Sequence, residues 1–161
     1  MDIKKETRNH FMKRAAELAL YAVRNNLGGP FGAVVVKEGV IVGEGYNRVT
    51  SANDPTAHAE MVAIRNACQR LGSYQLTGCE IYSSCEPCPM CLGAIYWARP
   101  ARLFYGSTRF DAAGAGFDDS LIYDELALPP ERRMISTQYI PEKEAIEAFR
   151  EWKEKVDKAK Y

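Results

Sequence analysis

Phe11, Ala15, Leu18, Ala19 and Ala22 recur three or four positions apart. That spacing puts them on one face and predicts an amphipathic helix over about residues 6–26. Leu27-Gly28-Gly29-Pro30 stops the pattern. Two β-rich runs follow, 31–37 and 40–46, turned at Glu38-Gly39, and predict a hairpin. Asp54 reads as a helix cap with Pro55 in the first turn, Met61, Ile64 and Cys68 as the buried stripe, and Leu71-Gly72 as the stop. A strand over 79–84 runs into Pro87-Cys88-Pro89, a helix over about 89–98 is closed by Arg99-Pro100, and 102–106 is another strand. The repeated strand–helix–strand order predicts a parallel core with right-handed crossovers and helices on both faces.

Beyond Gly106 the periodicity weakens. Residues 111–116 read as a loop, 118–126 as a short helix, and Pro129-Pro130 as a joint. Ala145, Phe149, Trp152 and Val156 fall on one stripe of a helix predicted over 142–160, an aromatic face that has to pack on something. No internal repeat or low-complexity tract is present, and 161 residues suffice for one domain with a full core, 1–161.

Composition narrows the function classes. Lys+Arg and Asp+Glu are both 21, which removes the basic excess that draws a phosphate backbone and argues against a nucleic-acid partner. No apolar run approaches membrane-spanning length, and Met1-Asp2-Ile3-Lys4-Lys5-Glu6 lacks the apolar core of an export signal, so no membrane partner and a cytoplasmic location are expected. Five cysteines, three of them within seven residues (Cys85, Cys88, Cys91), read as metal binding more readily than as a disulfide framework. Gly28-Gly29-Pro30-Phe31-Gly32 lacks the pattern of a phosphate loop and precedes a strand.

The candidate chemistry lies in His58-Ala59-Glu60 and Pro87-Cys88-Pro89-Met90-Cys91, an H-x-E followed by P-C-x-x-C, the signature of zinc-dependent nucleobase deaminases. One imidazole (His58) and two thiolates (Cys88, Cys91) supply three zinc ligands and leave the fourth position to water. Bound zinc lowers the pKa of that water from about 15.7 toward about 7, so hydroxide is available at neutral pH. Both ligand sets sit where a helix begins, and the unpaired N–H groups there favour thiolates. Glu60 lies two residues from His58 and off its helix face, which leaves it free as general acid/base. The competing arrangement is a closed structural site with Cys85 as fourth ligand. Pro87 holds Glu86 extended, so Cys85 should still belong to the strand.

Asn53 to Glu60 and Ser84 to Cys91 resemble the cytidine-deaminase-like superfamily. Gly29-Pro30-Phe31-Gly32-Ala33, Leu92 to Pro100, Ala115 to Ser120 and Tyr161 are similar to its small bacterial guanine deaminases, over nearly the whole chain. The resemblance implies a three-layer α/β/α sandwich around a central five-stranded mixed sheet, and hydrolysis of guanine, a small-molecule purine base, to xanthine and ammonia in purine catabolism. It implies one Zn2+ per subunit on His58, Cys88 and Cys91, with Glu60 as proton shuttle. It further implies that Asn47 hydrogen-bonds the purine, that Phe31 and Trp97 wall the pocket, and that Asp119 contacts the amino side of the base and assists proton transfer. Finally, it implies a homodimer that exchanges its C-terminal segment from about residue 130, bringing Tyr161 into the partner's site. The alternatives are a tRNA adenosine deaminase or a cytosine deaminase with the same zinc chemistry and, in a different class, a zinc-stabilised interaction module without turnover.

Overall fold

At Glu38 (φ 50°) and Gly39 (φ 78°) the backbone enters the left-handed region twice in succession, the geometry of a tight hairpin turn. It folds β1 (Gly32–Lys37) against β2 (Val40–Tyr46). The computed structural model describes residues 3–161, so the first two positions of the expected 1–161 domain lie outside the described residues. The chain forms two compact units, one ending at Asp119 and the other beginning at Ser120.

In the first unit α1 (Ile3–Arg24) precedes the hairpin; α2 (Val49–Ala52), α3 (Ala59–Leu71), β3 (Cys79–Ser83), α4 (Pro89–Ala98), β4 (Arg102–Tyr105) and α5 (Arg109–Gly114) follow it. The sheet order is β2-β1-β3-β4. β1 is antiparallel to both neighbours, and only β3 and β4 form a parallel pair. β2 and β3 therefore run the same way with α3 between them in sequence, as the periodicity predicts. β1 lies between them in space, so the sheet is mixed, as the resemblance implies, where the strand–helix–strand order alone predicted a parallel core.

Strand alternation divides the core into two layers. Ala33, Val35 and Ile81 face Ala59, Ala63 and Ala67 of α3 and Ile95 of α4. Val34, Val36 and Tyr82 face Phe11 and Leu18 of α1. The helix stripe expected on α1 is the buried one. On α3 it is not: Ala59, Glu60, Ala63 and Ala67 are buried, whereas Met61, Ile64 and Cys68 are only half-buried. The reason is a close approach: a Cβ on Gly45 would meet the Ala59 carbonyl oxygen at 2.2 Å, and one on Gly43 the Ala63 carbonyl oxygen at 2.4 Å. Small residues let α3 lie directly on β2.

Three further expectations change. Asp54 does not cap α3; its Oδ1 accepts from the Thr56 backbone N–H at 2.8 Å and from its hydroxyl at 2.7 Å, closing a turn before the helix. The loop expected over 111–116 contains the end of α5, which begins at a capping box between Thr108 and Asp111. The five-stranded sheet is four-stranded among the described residues.

The second unit contains α6 (Ser120–Ala127), a 3-10 turn (Pro130–Arg132) and α7 (Lys143–Glu154). Arg133 ties α6 to the turn, donating to the carbonyls of Glu125 and Leu128 at 3.2 and 3.1 Å. Residues 136–142 have no regular structure. The helix expected over 142–160 stops at Glu154, so Ala145, Phe149 and Trp152 of its apolar stripe lie on α7 and Val156 falls beyond it; Phe149 is exposed.

Candidate metal and substrate site

His58 is the N-cap of α3 and Cys88 the N-cap of α4, so both stand at the positive ends of helices. Cys91 follows one turn into α4 and is buried. The His58 Nδ1 atom lies 3.5 Å from Cys88 Sγ and 3.5 Å from Cys91 Sγ, and the three ligand atoms lie within 4.8 Å of one another. Tetrahedral zinc with ordinary bond lengths separates an imidazole nitrogen from a thiolate sulfur by about 3.6 Å. The donor set and its spacing thus fit zinc with one position open. Cys85 is turned away, its Sγ donating to the Thr108 carbonyl at 3.4 Å, which disposes of the closed four-ligand alternative.

The cluster is electrostatically coupled. The Cys88 thiol is drawn down to about 4, first by a hydrogen bond from Cys91 and then, against the cost of burial, by His58. Cys91 is pushed up as the proton donor of the same pair and by burial. His58 is raised, chiefly by its hydrogen bond to Cys88. A dication held by all three would displace these protons, because metal binding requires thiolates and a neutral imidazole donor.

Glu60, one residue into α3, is 5% exposed. Burial is the largest influence on its carboxyl and raises its pKa, with its own backbone N–H and the Ser83 hydroxyl opposing. Ser83 donates to Glu60 Oε1 at 3.0 Å.

Asn47, directly after β2, is also buried. Its Oδ1 accepts from the backbone N–H groups of Gly29 at 3.1 Å and Val49 at 3.2 Å. Both lone-pair directions of Oδ1 are used, and the Nδ2 donors are what the side chain has left to offer a ligand. The same loop is tied to the sheet by Gly32 N–H donating to Ser84 Oγ at 3.0 Å and Asn47 N–H to the Phe31 carbonyl at 3.0 Å. The Phe31 ring meets Phe117 edge to face, centroids 5.0 Å apart. Asp119 is half-buried; desolvation raises its pKa and the Cys88 charge adds in the same direction, with its own backbone N–H and Arg109 opposing.

Two of the predicted residues are exposed. Trp97 is on α4 but 66% exposed, off the side that buries Cys91, Ile95 and Ala98. Tyr161 ends the second unit, exposed. Ser83 has no part in the sequence reading of the site, and Phe117 enters it only within the stretch that resembles guanine deaminases, without its partner. Phe117 is 86 positions from Phe31, and only the fold pairs them.

Residues 5–107 match the family model for the cytidine and deoxycytidylate deaminase zinc-binding region. The chain belongs to that family. It is 55% identical over 155 residues to the guanine deaminase of Bacillus subtilis, covering 95% of this chain and 99% of that one. The crystal structure of guanine deaminase from Bacillus subtilis superposes with a TM-score of 0.92 at 54% identity, covering 95% and 98% of the two chains. A tRNA-specific adenosine deaminase of Aquifex aeolicus is 37% identical over 127 residues, 79% of this chain and 82% of that one. Zinc is the family's metal, and His58, Cys88 and Cys91 are positioned to bind it. No helix among the described residues is long and apolar enough to cross a membrane.

Proposed function

We propose that the chain hydrolyses guanine to xanthine and ammonia. The observation that carries this reading is the 55% identity to the Bacillus subtilis guanine deaminase over 95% of the chain, which extends past the family region ending at residue 107 into the segment holding Phe117, Asp119 and the second unit.

Zinc would be held by His58, Cys88 and Cys91 and, when bound, would supply a water acidic enough to act as nucleophile at neutral pH. Phe31 and Phe117 offer apolar ring faces and edges to a flat purine, with Trp97 as a further wall. Asn47 Nδ2 donates to an acceptor on the base and fixes its orientation. The water oxygen adds to C2, and Glu60 takes the water's proton and delivers it to the adjacent ring nitrogen. Glu60 then passes a proton to the departing amine, so that water and guanine leave as xanthine and ammonia. A buried carboxyl with a raised pKa suits this exchange, because an acid/base group works best when its pKa lies near the working pH. Asp119 faces the amino side and assists that transfer.

The working unit is a homodimer in a reducing, cytoplasmic setting, in which residues from about 130 are exchanged and Tyr161 enters the partner's site. The exposed Ile135, Tyr139, Ile140 and Phe149 support the exchange, since a second chain completes the apolar cover they lack. The five free cysteines support the setting. The test is incubation of the zinc-loaded protein with guanine. Xanthine and ammonia should form one to one, stop with chelator and resume on adding zinc. Xanthine formation unaffected by stripping the metal would overturn the reading.

A further inference from the structure

We propose that Ser83 is a positioning residue, whose hydroxyl holds the Glu60 carboxyl in the orientation from which it moves protons. The inference rests on Glu60 as the proton carrier of the reaction proposed above, and deepens it.

The observation begins with a misplaced polar residue. On β3 the side chains of Cys79, Ile81 and Ser83 share one face, since alternate residues of a strand point the same way. Cys79 and Ile81 are fully buried in the apolar layer under α3 and α4, and the row calls for a third apolar side chain. Ser83 stands there instead, 2% exposed. A buried hydroxyl without a partner is costly, and this one is spent on Glu60 Oε1 at 3.0 Å, across 23 positions of sequence.

Ser83 is a rigid donor. It pairs with Ala33 on one side and Tyr105 on the other, and its carbonyl accepts from Gly106 N–H at 3.1 Å. Glu60 is a carboxyl on a three-bond stem, held also by its own backbone N–H and the Cys91 thiol. The Ser83 hydroxyl is the donor fixed in the sheet, and by holding Oε1 it sets which way the carboxyl faces as it carries protons between water, ring nitrogen and amine. Positioning of this kind is worth rate, since a small misplacement of a catalytic group costs turnover without costing binding.

The experiment compares Ser83→Thr with Ser83→Val, two variants of the same shape that differ by a hydroxyl. Steady-state kinetics on guanine, zinc content and crystal structures are read for both, alone and combined with Glu60→Gln. Thr should return kcat to within about threefold of wild type. Val should lower kcat about 10- to 100-fold, the range for losing a hydrogen bond to a charged group, with KM within about twofold and zinc still one per chain. In the Glu60→Gln background, Val should change the residual rate less than about twofold. The Val crystal structure should show the Glu60 carboxyl displaced, and the Thr structure should not. Equal losses in Thr and Val, full kcat in Val, or an undiminished Val effect beside Glu60→Gln would each overturn the inference while leaving the Glu60 reading intact. Near-normal turnover of Glu60→Gln alone would instead overturn the Glu60 role and the Ser83 inference with it.

Discussion

Replacing Asn47 by Ala and by Asp separates the observed structural job of its side chain from the base-recognising one proposed for it. In the protein Oδ1 accepts two backbone N–H groups, from Gly29 and Val49, at a residue only 6% exposed. Alanine leaves both donors, on half-buried residues, without their acceptor. At about 1–2 kcal/mol for each stranded donor, the loss is about 2–4 kcal/mol. In a domain of this size each kcal/mol shifts Tm by about 2–4 °C, so a fall of about 5–15 °C is expected. Aspartate keeps an oxygen where Oδ1 stood and so keeps both bonds, and its Tm should lie within about 2 °C of wild type. It replaces the Nδ2 donors with a second acceptor, which in the proposed binding mode would face an acceptor on the base. Losing that bond and gaining a repulsion should lower kcat/KM on guanine about 10²-fold or more. Differential scanning calorimetry and steady-state kinetics on the zinc-loaded proteins read the two effects. An Asp variant with wild-type kcat/KM would refute Nδ2 as the recognising group, and an Ala variant with wild-type Tm would refute the structural role of Oδ1.

Other outcomes follow from the same structure. Glu60→Gln should retain zinc by elemental analysis and lose about 10²–10⁴-fold in kcat, the usual contribution of general acid/base catalysis. Gly45→Ala drives a methyl to 2.2 Å from the Ala59 carbonyl oxygen, displacing the turn of α3 that carries Glu60; both Tm and kcat should fall, the first by calorimetry, the second by ammonia release. Chelation should abolish turnover yet leave the circular-dichroism spectrum of a folded protein, because the two apolar layers assemble without the metal; a random-coil spectrum would favour a structural zinc module. Glu44 is held below the usual carboxylate range chiefly by its hydrogen bonds from Arg14, at 2.7 and 3.0 Å. The folded carboxyl therefore binds a proton less readily than the unfolded one. The pair's contribution, about 1 kcal/mol after solvent screening, is complete above the unfolded pKa and disappears as pH falls through the lowered folded one. Urea unfolding of wild type and Glu44→Gln should differ at pH 7 and converge in acid.

The metal centre was legible because its chemistry is local. His58, Cys88 and Cys91 lie in two short motifs, each at the start of a helix, and residue spacing alone brings the two cysteines together. α1 was legible because its periodicity matches the face it buries, and the hairpin and β3 because β-rich runs bounded by turn residues mark strands. What escaped depends on meetings across the sheet. The buried face of α3 is set by Gly43 and Gly45 on β2, and small residues leave no hydrophobic signal in a sequence pattern. Ser83 reads as an ordinary strand residue until β3 is placed under the first turn of α3. Phe117 looks like a loop aromatic until it meets Phe31. β1 lies between β2 and β3 because a hairpin and a crossover are combined, and local order predicts each without predicting their interleaving. The fifth strand came from resemblance alone, and residues 136–142 form no ladder within the chain.

The most direct test of the account is ammonia release by the zinc-loaded protein, measured in parallel on guanine, adenine, cytosine and an adenosine-containing tRNA stem-loop. Turnover of guanine with the other three unreacted is the predicted result. Turnover of the stem-loop with guanine untouched would contradict it, and would leave the zinc centre as the part that stands.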